Sequence, residues 1–160
     1  MNISYLLKSR KFFRIFFFIL IFIWCFGFIS PVLFGSIRVL SLTYPFTKKI
    51  YSLVCHQIPA KTFFINGDSF LVCARCTGIY SGALIFSAMS LLGLSFNIKS
   101  SNILLISLLP LSLDVLMTTA GAYSYSKFIA MITGLFFGSV SFIYILSAVE
   151  KNLFDEENGQ

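Results

Sequence analysis

The chain has 160 residues, 58% hydrophobic and only 11% charged, with a mean hydropathy of +0.90 and a formal net charge of +6. Soluble domains carry roughly 25% charged residues, so the composition excludes an ordinary soluble protein and places this chain in the membrane class, with length for one domain, residues 1–160. The basic excess argues for no nucleic-acid partner, because the Lys and Arg residues sit beside apolar segments, where orientation signals and lipid head groups account for them.

Lys8, Arg10, Lys11 and Arg14 precede an apolar run from Ile15 to Phe34. The run is longer and bulkier than a signal-peptide core of about 7–15 residues, and no Ala-x-Ala site follows it. It reads as a retained first span. Residues 36–54 are interrupted by Arg38, Pro45, Lys48 and Lys49. A charge at mid-bilayer costs about 2.5–3.5 kcal/mol on insertion scales, so this stretch reads as an interfacial amphipathic helix, from about Pro45 to Val54.

Three further spans are expected at about 77–96, 103–120 and 128–149, each near the ~20 residues that cross a bilayer as a helix. Polar turns separate them, one around Asn97 and Lys99 and another over Gly121–Lys127, and the chain closes on Asp155, Glu156 and Glu157. Long apolar runs without alternation exclude a β-barrel. The fold class is therefore an all-α membrane protein: a bundle of about four transmembrane helices, an interfacial helix and a Cys/His loop over residues 55–76. The basic residues divide evenly between the two sides, so orientation rests on the cluster against the first span. It places both termini inside and the loop outside; a crossing by 36–54 would reverse the loop.

The stretch Cys55–Gly82 holds most of the chemistry: three of the four cysteines, the single histidine, Gln57 and Arg75. Cys73 and Cys76 form a C-x-x-C pair, which with Cys55 and His56 makes a Cys3His set of the kind that binds zinc. Iron or copper would also accept these ligands. The adjacent Cys55-His56 pair needs irregular backbone to converge, and Pro59 and Gly67 favour it. A rival reading is thiol–disulfide exchange by Cys73 and Cys76, with Cys55 as a third thiol. A cysteine at the start of the second span would be acidified by the helix dipole and by Arg75. The plainest reading is a structural disulfide. Whether the chain is an enzyme stays open. Cys25, beside Trp24, reads as packing.

Asp114 lies inside the third span, where a carboxylate is costly unless protonated, paired or hydrated. It could relay protons or bind a cation, as in a small oligomeric transporter, or be a protonated side chain bonded to Thr133. No Lys or Arg is expected within another span to pair with it. Gly78-x-x-x-Gly82 and Gly134-x-x-x-Gly138 each present a small-residue face. These faces should pack the second span on the fourth, or join two copies in a homo-oligomer within the lipid bilayer.

Cys55-His56-Gln57, Pro59, Lys61-Thr62-Phe63, Gly67 and Cys73-Ala74-Arg75-Cys76-Thr77-Gly78-Ile79-Tyr80, with Gly82, resemble the signature of a family of small prokaryotic membrane proteins of unknown function. The resemblance continues through Pro110 with Asp114 and Thr133-Gly134 with Gly138, about two thirds of the chain. In that pattern an Arg-Ser pair is common at Lys61-Thr62, a Gly at Val115, and Gln and Arg at Thr118 and Ala130. The later polar set is reduced here. The resemblance implies a multi-pass protein of a prokaryotic cell membrane, and no activity.

Overall fold

The computed structural model describes residues 3–34, 38–65, 67–94 and 100–154. It is mostly helical, with a small antiparallel hairpin. Helix α1 spans Ile3–Phe34 and α2 spans Arg38–Ser52; strands β1, Thr62–Ile65, and β2, Asp68–Cys73, follow a short 3-10 turn at Pro59–Lys61. Helices α3, Ala74–Leu91, α4, Ser101–Thr119, and α5, Lys127–Phe154, complete the chain. The turn at Asn97 and Lys99 and the acidic residues Asp155, Glu156 and Glu157 lie outside the described residues.

Among the described residues, three helices are long and apolar enough to cross a membrane: Arg10–Leu33 within α1, Ser101–Thr119, and Lys127–Asn152 within α5. Their faces away from the bundle carry Phe16, Ile23, Leu105, Leu109 and Ile132, all exposed, as lipid-facing helices require. The expected second span is shorter and starts earlier, at Ala74 instead of Thr77. Its first turn carries Arg75 and Cys76, which the hydropathy pattern assigns to the preceding loop. Helix α2 also starts earlier than expected and contains Pro45. At about 1.5 Å per residue its length is roughly 22 Å, too short for a span.

Residues 55–76 are a loop only at 55–58; the rest is a short turn, a hairpin and the start of α3. Phe64 pairs with Ser69 and Ile65 with Asp68, and the turn passes through Gly67 at φ +92°, a conformation that favours glycine. Thr62 pairs with Cys73 across a bulge, so the hairpin delivers Cys73 directly to the start of α3. The run Thr62-Phe63-Phe64-Ile65 and the run Phe70-Leu71-Val72 are rich in the β-branched and aromatic residues that pack on a pleated surface.

Helices α3 and α5 form the most extensive interface, and glycine is the cause. A Cβ at Gly78 would collide with the Met131 carbonyl, one at Gly82 with that of Leu135, and one at Gly138 with that of Ile79. The two backbones touch because no side chain separates them. Both glycine faces are thereby used in packing α3 on α5.

Two arginines tie the helices at opposite ends of α3. Arg14 in α1 donates to Glu150 in α5 (Nε to Oε1, 2.6 Å) and to the Ser90 carbonyl of α3 (3.0 Å). Arg75 donates to Asp114 of α4. Roughly 22 Å of helix separates Arg75 from Ser90.

Candidate metal centre

Cys55 follows α2 and is held by its backbone N–H, which donates to the Tyr51 carbonyl (3.0 Å). Tyr51 is fixed in turn, its hydroxyl donating to the Trp24 carbonyl of α1 (2.7 Å). Cys73 is the N-cap of α3 and leaves its thiol out of capping; Thr77 donates to the Cys73 carbonyl instead (3.1 Å). Cys76 stands in the first turn. The C-x-x-C spacing and the hairpin together aim two sulfurs at a third from α2's end. The Sγ atoms of Cys55, Cys73 and Cys76 all lie within 4.8 Å of one another, and all three are free thiols.

That spacing fits a shared metal. Zinc–sulfur bonds of about 2.3 Å in a tetrahedron put sulfurs about 3.8 Å apart, so a small contraction closes the set. The Cys73 N–H already donates to Cys55 Sγ (3.2 Å). Hydrogen bonds from the Cys73 and Cys76 thiols, aided by backbone donors, hold the Cys55 thiol well below its ordinary pKa. Trp24, Phe28, Tyr51, Leu71 and Val72 pack round Cys55, which is 6% exposed. Cys25 belongs to the same cluster and donates its thiol to the Tyr80 carbonyl (3.6 Å), apart from the three converging sulfurs.

The remaining sequence candidates divide. His56 is exposed, and its ring lies outside the sulfur cluster. Gln57 takes φ +51°, so the backbone turns irregularly just after the Cys55-His56 pair, of which Cys55 is buried and His56 exposed. The Gln57 amide donates to the carbonyls of Lys48 (3.0 Å) and Leu71 (2.9 Å). Since both partners are acceptors, the nitrogen is the atom facing them. Gln57 therefore clamps α2 to β2 and carries no visible chemistry of its own.

Asp114 overturns one expectation. It is paired, with Arg75 on one oxygen and the Tyr123 hydroxyl on the other, and is 5% exposed. The cation came from the C-x-x-C itself, because α3 begins early enough to carry Arg75 into the bundle. Thr133 donates to the Ile129 and Ala130 carbonyls and not to the carboxylate. The bond to Asp114 raises the Tyr123 pKa. A cleft of about 400 Å³ beside Asp114 runs between Pro110, Leu113 and Met117 of α4 and Ile129 and Thr133 of α5. Sequence reading missed Tyr123 and Tyr125. Both lie in the short connection before α5, where no spacing rule singles them out.

Residues 55–144 match the model of the DUF2085 family, described as a predicted membrane protein. The matched stretch runs from Cys55 through the hairpin, α3, α4 and most of α5. The chain belongs to this family. It is 38% identical over 101 residues to an uncharacterized protein of Methanocaldococcus jannaschii, covering 61% of this chain and 64% of that one. An uncharacterized protein of Methanothermobacter thermautotrophicus is 47% identical over 36 residues, 22% of this chain and 32% of the other. The chain thus spans a little under two thirds of the first archaeal relative. No solved structure matches. The DUF2085 description names a membrane protein and no reaction, so function has to be argued from the site.

Proposed function

We propose that this DUF2085 protein binds one metal ion through the thiolates of Cys55, Cys73 and Cys76 at a membrane surface. The observation that carries the reading is the three-way convergence of sulfurs. A disulfide needs two thiols, and a third placed within 4.8 Å of both is a ligand set. His56 is the candidate fourth ligand, reachable by turning its ring inward; water is the other. Zinc is the first metal to test, with iron and copper as competitors for thiolate and imidazole.

In this reading α3 is a fourth span. Its 18 residues, roughly 27 Å of helix, run between the Arg14–Glu150 pair at one end and the Arg75–Asp114 pair at the other. The protein is then a multi-pass protein of a prokaryotic membrane, with the sulfur site on the outer side and both termini inside. Asp114, neutralised by Arg75, offers no free carboxylate to a travelling cation, which weighs against a transporter.

Elemental analysis of detergent-purified protein, beside a Cys73→Ser, Cys76→Ser variant, tests the site. About one zinc or iron per chain, lost in the variant, is expected. A metal-free protein with a Cys73–Cys76 disulfide would favour the second reading, thiol–disulfide exchange. The placement of Cys73 as N-cap and Cys76 in the first turn of α3 favours that chemistry, since it sets the two sulfurs of one turn side by side.

A further inference from the structure

The polar groups flanking the sulfurs have a feature that the ligand set leaves unexplained. Arg75 Nε and Tyr125 Oη are both buried and have no hydrogen-bond partner among the described residues. Both are donors beside the same site. Arg75 stands between Cys73 and Cys76 in the first turn of α3, and Tyr125 lies two residues after Tyr123, whose hydroxyl donates to Asp114, the partner of Arg75. Lys61 Nζ sits 5.2 Å from the Tyr125 ring centroid, at the base of the hairpin where the next residue, Thr62, pairs with Cys73. Buried donors without acceptors are rare in folded proteins and call for an explanation.

Charge supplies one. A divalent metal with three thiolates carries a net charge of −1, and Arg75 is already balanced by Asp114. In a site edged by hydrocarbon that excess needs donors, because there is little water to solvate it. One donor is in place, the Cys73 N–H on Cys55 Sγ. We propose that Tyr125 Oη and Arg75 Nε are the other two, donating to the metal-bound thiolates, with Asp114 and Tyr123 holding Arg75 in position. Tyr125 and Arg75 are positioning residues for the metal ligands, and Asp114 acts through Arg75. The proposal rests on the metal reading above.

Cobalt(II) titration of the full-length protein in detergent tests it, because sulfur-to-cobalt charge-transfer bands report directly on thiolate electron density. Outer partners of metal ligands are worth roughly 10–100-fold in affinity. Tyr125→Phe should bind one cobalt per chain 10–100-fold more weakly, with the charge-transfer band moved to lower energy, since a thiolate that loses a donor gives up electrons more readily. Arg75→Lys keeps the charge opposite Asp114 while removing the Nε donor, and should move the band the same way. Asp114→Asn should weaken binding with a smaller band shift. Unchanged affinity and an unchanged band in both Tyr125→Phe and Arg75→Lys would overturn the assignment while leaving the metal site intact. Absence of any thiolate charge-transfer band in the unaltered protein would instead overturn the metal reading, and the donor assignment with it.

Discussion

Two arginine–carboxylate pairs close the bundle at opposite ends of α3, and they solve different problems. Arg14–Glu150 binds α1 to α5 and also reaches the end of α3; its side chains are 15% and 18% exposed. Arg75–Asp114 has a carboxylate only 2% exposed, takes a tyrosine as second donor, and grows out of the C-x-x-C turn. The first pair joins helices. The second fixes the two cysteines of one turn against α4. A salt bridge inside a membrane protein thus need not mark a transport path; here it anchors the wall of a sulfur site.

The sharpest way to break the frame that both pairs share is Gly138→Leu. The side chain would collide with the Ile79 backbone, so α3 and α5 must separate and both pairs lose their geometry. Loss of the cooperative thermal transition in detergent is expected. Next in size is Asp114→Ala, which leaves the Arg75 guanidinium without its partner; breaking one side of a buried pair costs about 3–5 kcal/mol. Thermal unfolding should show it as a large fall in midpoint, and Asp114→Asn, which keeps hydrogen bonding to Tyr123, should fall less. Glu150→Ala should cost about 1.5–3 kcal/mol, the range for hydrogen bonds to charged groups, and leave metal content unchanged. A Glu150→Ala protein that lost its metal would erase the contrast between the two ends. The smallest effect is expected from Cys25→Ala, which removes one weak sulfur hydrogen bond and little volume; metal content should equal that of the unaltered protein by elemental analysis.

Much of this was legible in the chain. The apolar runs showed the helical membrane class, and C-x-x-C with Cys55 identified the three sulfurs that converge. The glycine spacings foretold the packing of α3 on α5. The hairpin was not read, because Phe63, Phe64, Phe70, Leu71 and Val72 look like membrane-surface hydrophobics when the surrounding signal is hydropathy. Its alternative signal, two β-prone runs flanking Gly67, was present. Arg75 was misplaced for a related reason: a hydropathy window excludes an arginine from a span, whereas the fold admits it once Asp114 supplies the counter-charge. His56 adjoins Cys55 in sequence, yet neighbouring side chains diverge, and Cys55 is buried while His56 is exposed. Tyr123 and Tyr125 become visible only when the turn before α5 is folded over the site.

The contrast between the two ends of α3 rests on the proposal that three thiolates share one metal. X-ray absorption at the metal edge of the purified protein tests it most directly. Three sulfur ligands at about 2.3 Å and one lighter nitrogen or oxygen ligand are expected, for zinc, with one sulfur lost in Cys55→Ser. A shell of nitrogen and oxygen alone, or one indifferent to Cys55→Ser, would contradict it.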